Sequence, residues 1–145
     1  MPGHPVLEAP ILQPVMALVL WTFVVWVWLY ATRIPALRRA GFELRPERTK
    51  DEMNAALPPA VRWKADNYNH LMEQPTLFFA VALALAFAQR GDGWALVLAW
   101  VYVGLRVVHS LVQAMWNKIE VRFALFFLSS LALIGMTVAA ALAVL

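Results

Sequence analysis

Residues Ile11 to Thr32 (ILQPVMALVLWTFVVWVWLYAT) form a run of 22 residues without a charge. As a helix rising 1.5 Å per residue, a run of this length covers roughly 33 Å, the depth of a hydrocarbon core. Few folds are open to such a run, because in lipid each backbone N–H and C=O must be satisfied inside the helix itself. Three more apolar stretches follow: Leu71 to Ala88, interrupted only by Glu73 and Gln74, then Trp94 to Trp116, then Val121 to Leu145. The hydrophobic share of 62% exceeds what soluble domains carry. These features predict an all-α integral membrane four-helix bundle of one domain over 1–145, with helices at about 11–34, 64–88, 94–116 and 121–144 and a connector over 35–63. Short joints make the last three helices antiparallel neighbours in an up-down bundle.

Local signals place the boundaries. Met1 to Pro10 has no Lys or Arg, and the apolar run behind it is too long for a cleaved signal, so the first helix is read as retained. Pro35 disfavours simple continuation of that helix, leaving Arg38 and Arg39 on a final turn after a kink. In the connector, Gly41, Pro46 and Pro58-Pro59 act as punctuation, while Thr49 and Glu52 have capping-box spacing for a short surface helix ending near Leu57. Pro75 should bend the second helix. Gln89 to Gly93 reads as a tight turn and Asn117 to Glu120 as a polar joint.

Of the 12 basic residues, eight lie between Arg33 and Lys64, and Lys118 and Arg122 fall on the same side, against Arg90 alone on the other. The positive-inside rule then sets the long connector in the cytoplasm and both termini outside. Eight basic residues clustered beside a span fit an anionic leaflet better than a nucleic-acid groove, so no nucleic-acid partner is expected. The absence of Cys removes disulfides, thiolate metal sites and any cysteine nucleophile of the chain's own.

Arg106, deep in the third run, needs a partner or a wet cavity. At about 100° per residue, Arg106, His109, Ser110, Gln113 and Asn117 share one face, with Val107, Leu111 and Ala114 pointing elsewhere. A second stripe, Asp66, Asn69, His70 and Glu73, occupies the same half of the bilayer, and Arg122 joins it from the start of the fourth helix. One reading is structural: Glu73 pairs with Arg106 to fix helix register, and Asn69, His70, His109, Gln113 and Asn117 act as interhelical hydrogen-bonding glue. The other is a polar cavity, favoured because these groups outnumber what packing needs. His70, Glu73 and His109 are poor candidates for a metal, since Arg106 and Arg122 oppose a cation. Two arginines suit an anionic or zwitterionic molecule, Glu73 suits an ammonium group, and an arginine beside a thiol stabilises the thiolate. The nucleophile then belongs to the ligand, and its lipophilic partner arrives from the bilayer. A non-enzymatic protein binding a lipid or small polar molecule in the same cavity is the alternative.

The run Arg106-Val-Val-His109-Ser110-x-x-Gln113, with Arg122 sixteen residues after Arg106, resembles the helix 3 to helix 4 region of the MAPEG family, the membrane-associated proteins in eicosanoid and glutathione metabolism. Asn69-His70-Leu-Met-Glu73-x-Pro75-x-Leu-Phe78-Phe resembles that family's second helix, and Arg33 or Arg38 with Ala40-x-Phe42 the end of its first. The resemblance implies a divergent bacterial-type member of the inner membrane, a homotrimer with glutathione between subunits. It further implies that Glu73 meets the glutathione amine, that Arg106, His109, Asn69, His70, Gln113 and Arg38 line the cofactor site, and that Arg122 stabilises its thiolate. The sequence departs from that pattern where Gln113 replaces a tyrosine, Phe123 a serine, Asp66 and Asn69 two arginines, and His70 an asparagine.

Overall fold

The computed structural model describes residues 9–145; Met1 to Glu8 lie outside the described residues. Six helices follow in order: α1 (Leu12–Arg39), α2 (Lys50–Ala55), α3 (Pro59–Met72), α4 (Pro75–Phe87), α5 (Gly93–Met115) and α6 (Ile119–Val144). α3 and α4 together make one span, so four helical segments are long and apolar enough to cross a membrane. The outer surface agrees: Leu20, Phe23, Val27, Trp94, Ile134 and Leu142 are exposed, which lipid tolerates and water does not.

α1 does not stop near residue 34. It continues unbroken through Pro35 and buries Leu37 in its last turn. Its end is set by Gly41, which takes φ +61°. There the N–H of Gly41 bonds to Arg38 O at 3.1 Å and that of Phe42 to Leu37 O at 3.1 Å, closing the terminal carbonyls as a left-handed glycine does. Arg38 and Arg39 sit in that last turn, where the helix dipole favours cations.

The connector is therefore shorter than 35–63. Its helix α2 carries the full capping box: Glu52 N–H donates to Thr49 Oγ1 at 3.2 Å, and Thr49 N–H donates to Glu52 Oε2 at 3.0 Å. Arg33 Nη2 donates to Asn54 Oδ1 at 3.0 Å and ties α2 to α1. α3 starts at Pro59 rather than near residue 64, because a proline at the first helical position lacks only an N–H that has no helical partner anyway.

The core lies where α1, α4, α5 and α6 meet. Phe78 is fully buried and stacks on Tyr102 with centroids 4.6 Å apart, above Leu18, Val25, Ala99 and Met136. At the α4–α5 turn, Gly91 lies against the fully buried Ile11: a Cβ there would stand 2.6 Å from Ile11 Cγ2. Gly91→Ala is expected to destabilise the detergent-solubilised protein by about 1–3 kcal/mol, measured by thermal unfolding. Phe87→Ala, on a side chain 72% exposed, should stay within about 0.5 kcal/mol of the parent.

Candidate functional site

The site begins with Pro75. It has no N–H for the carbonyl of Leu71, and its ring crowds that carbonyl, so the second span breaks instead of bending smoothly. α3 ends at Met72, Glu73 leaves helical geometry at ψ −98°, and α4 restarts with Pro75 in its first turn. Gln74, at the break, is held from two sides: its Nε2 donates to Ser130 Oγ on α6 at 2.8 Å, and its Oε1 accepts from Tyr102 Oη on α5 at 3.3 Å.

Arg106 answers the exposed end of α3. Its side chain is fully buried, and Nη2 donates both to the backbone carbonyl of His70 at 3.0 Å and to His70 Nδ1 at 2.9 Å. An arginine cannot accept a hydrogen bond, so Nδ1 is the acceptor and the proton of the imidazole resides on Nε2. The guanidinium thus lies at the negative end of a helix, the placement that suits a cation. Its Cζ also stands 5.8 Å from the centre of the Phe126 ring. Among the described residues no carboxylate pairs with it: the Glu73–Arg106 ion pair of the structural reading does not form, because the break turns Glu73 outward and leaves it exposed.

His70 is the hinge between this buried layer and an open cleft. His70, His109, Ile119, Arg122, Phe123 and Phe126 line a cavity of about 340 Å³ between the end of α3, α5 and the start of α6. The two imidazoles lie 4.8 Å apart, and Phe126 meets His70 edge-on at 5.5 Å. Arg122 is positioned by the joint before it. Asn117 takes φ +54°, a left-handed turn that asparagine tolerates, and its N–H closes α5 onto Val112 O. Its carboxamide oxygen then accepts from Arg122 Nη1 at 2.6 Å. Among the described residues, Arg106 Nε and Nη1 and Arg122 Nε are buried without a hydrogen-bond acceptor. Buried donors of this kind call for one.

The structure therefore brings together His70, Arg106, His109 and Arg122. It does not bring in the others. Asn69 is exposed on the outer face of α3 along with Asp66, Glu73 is exposed at the break, and Arg38 is exposed at the end of α1. Gln113 is buried beside the stripe, its Oε1 unpartnered, and does not line the cleft. Ala114 is fully buried, and its carbonyl accepts from Lys64 Nζ at 3.2 Å.

Sequence reasoning missed Asn67, which is buried and donates from Nδ2 to Ser110 Oγ at 2.6 Å. The signal was available: Asn67, Leu71, Gln74 and Phe78 follow helical spacing on the face that carries the apolar residues, so that face, not Asp66-Asn69-Glu73, turns inward. The roles of Gln74 and Phe126 depend on the break and on helix crossing, which no local pattern encodes.

Arg106→Leu removes both donors from His70 and should cost about 3 kcal/mol of stability, as expected for buried groups left unpaired. Arg122→Ala should cost under about 1 kcal/mol, since only the bond to Asn117 is lost. Denaturant unfolding in detergent, followed by tryptophan fluorescence, separates the two.

The model of the MAPEG family matches residues 11–142. No curated protein and no solved structure matches the chain. With that match spanning all four membrane helices and the cleft, the chain belongs to the MAPEG family.

Proposed function

We propose that the protein is a membrane-bound thiol transferase or peroxidase that uses glutathione, or a related thiol, against lipophilic electrophiles or hydroperoxides. The observation that carries this reading is Arg122: it lines an open cleft with two histidines, is oriented by Asn117, and keeps a buried N–H without an acceptor. The donor set fits an anionic ligand, for a thiolate or carboxylate is the acceptor that unpartnered guanidinium N–H groups need. Glutathione bound there supplies a thiolate sulfur as nucleophile. Arg122 is the catalytic residue, holding negative charge on the sulfur. His70 and His109 form the polar wall, and Arg106 braces His70 from behind. Phe123, at the mouth and 68% exposed, is the apolar entry for a reactant dissolved in lipid.

The reading includes a homotrimer of bacterial inner-membrane type, with the long connector in the cytoplasm and both termini outside. Support for the oligomer is the exposed set Asp66, Asn69 and Glu73 on a membrane-spanning segment. Carboxylates and amides facing hydrocarbon are costly, and a second copy that covers them relieves the cost. Glu73, Asn69 and Arg38 then serve the cofactor across a subunit boundary, with Gln113 behind the wall.

Detergent-purified protein should consume 1-chloro-2,4-dinitrobenzene or a fatty-acid hydroperoxide in a glutathione-dependent manner. Arg122→Ala should lower kcat/KM by about a hundredfold, the size expected for one charge-stabilising donor. Thiol-independent turnover, or no glutathione binding below roughly millimolar, overturns the proposal. The second reading, a non-enzymatic protein holding a lipid or small polar molecule in this cleft, gains support in that event from the exposed apolar rim of Ile119 and Phe123.

A further inference from the structure

A groove that shares no lining residue with the His70–Arg122 cleft has a different chemistry. Ala31, Thr32, Pro35, Ala36, Arg39 and Ala40 of α1 and its end face Ala56, Pro58 and Val61 across a volume of about 520 Å³. Along α1 these positions form one face, and from Ala31 to Arg39 the helix rises roughly 12 Å. The long part of the groove is thus walled by small apolar side chains, and Thr32 adds no free polar group, its hydroxyl being donated back to the carbonyls of Trp28 and Leu29. Its outer end is marked by one charge, Arg39, in the last turn of a membrane-spanning helix. α2 is held beside it by the Arg33–Asn54 bond.

The charge balance around the groove is one-sided. No acidic residue lines it. On the connector, Glu43 is engaged by Arg45 and Glu52 by its capping box, while Glu47 and Asp51 lie outside the groove lining. Arg39 is exposed and makes no hydrogen bond or ion pair among the described residues. An apolar slot running along a span and ending in a guanidinium in that span's last turn has the polarity of a single phospholipid.

We propose that this groove binds an anionic phospholipid, with an acyl chain along Ala31, Pro35 and Ala36 and the headgroup phosphate on Arg39. A zwitterionic choline lipid brings its own cation and gains less from Arg39, so the site prefers the anionic lipid. The proposal is independent of any thiol chemistry in the cleft, and its readout is lipid retention alone.

The test is native mass spectrometry of the full chain in detergent, offered an equimolar mixture of dioleoyl phosphatidylglycerol and dioleoyl phosphatidylcholine. The wild type should retain the phosphatidylglycerol in preference. Arg39→Gln should reduce that preference by about fivefold, and Ala36→Phe should lower retention of both lipids by filling the slot. Arg45→Gln removes the same charge from the connector outside the groove and should change nothing. Absence of preference in the wild type overturns the proposal, as does a preference that survives Arg39→Gln or falls equally in Arg45→Gln. Since Arg39 is exposed and unbonded, Arg39→Gln tests the site even if Ala36→Phe fails to fold.

Discussion

The hydrogen bonds from Arg106 to the end of α3 hold the site together. A membrane-buried arginine needs compensation, and the obvious means is a carboxylate. Here the compensation comes from a broken helix: Pro75 frees backbone acceptors at mid-span, and the carbonyl and imidazole of His70 both accept hydrogen bonds from one guanidinium nitrogen. The same break releases Gln74 to link α5 and α6 and swings Glu73 away. One proline thus decides the placement of His70, Arg106, Gln74 and Glu73.

This arrangement divides labour between the arginines. Arg106 is sealed and serves the architecture, locking His70 in one tautomer against Phe126 and His109. Arg122 stands at the cleft, steered by an asparagine whose left-handed backbone also ends α5. Between them the histidines form a wall with a buried brace on one side and an open volume on the other. Away from the site the chain presents apolar surface to lipid on most faces, and the polar stripe of α3 is the exception.

The gross architecture was legible in the residues. Charge-free runs, turn residues and the Thr49–Glu52 box each act over a few positions and compete with little else, so the spans and α2 followed from them. Pro35 misled because a helix loses only one hydrogen bond at a proline, and the Gly41 closure with Leu37 packing outweighed that loss. The polar stripe of the second span misled for another reason. Asp66, Asn69, His70 and Glu73 share a face by periodicity, but a shared polar face need not turn inward when the apolar residues lie on another, and the break after Met72 removes Glu73 from the common register.

What the sequence by itself determined is therefore the solvent, the number of spans, their order and the list of polar residues that lipid cannot leave unexplained. These follow from hydrophobicity and helical repeat, which are properties of neighbouring positions. Only the tertiary structure decided which of those residues meet: His70, Arg106, His109 and Arg122 converge, whereas Asn69, Glu73 and Arg38 face outward. That selection rests on how helices cross and on where a backbone break redirects its carbonyls, and both are set by packing between segments far apart in the chain.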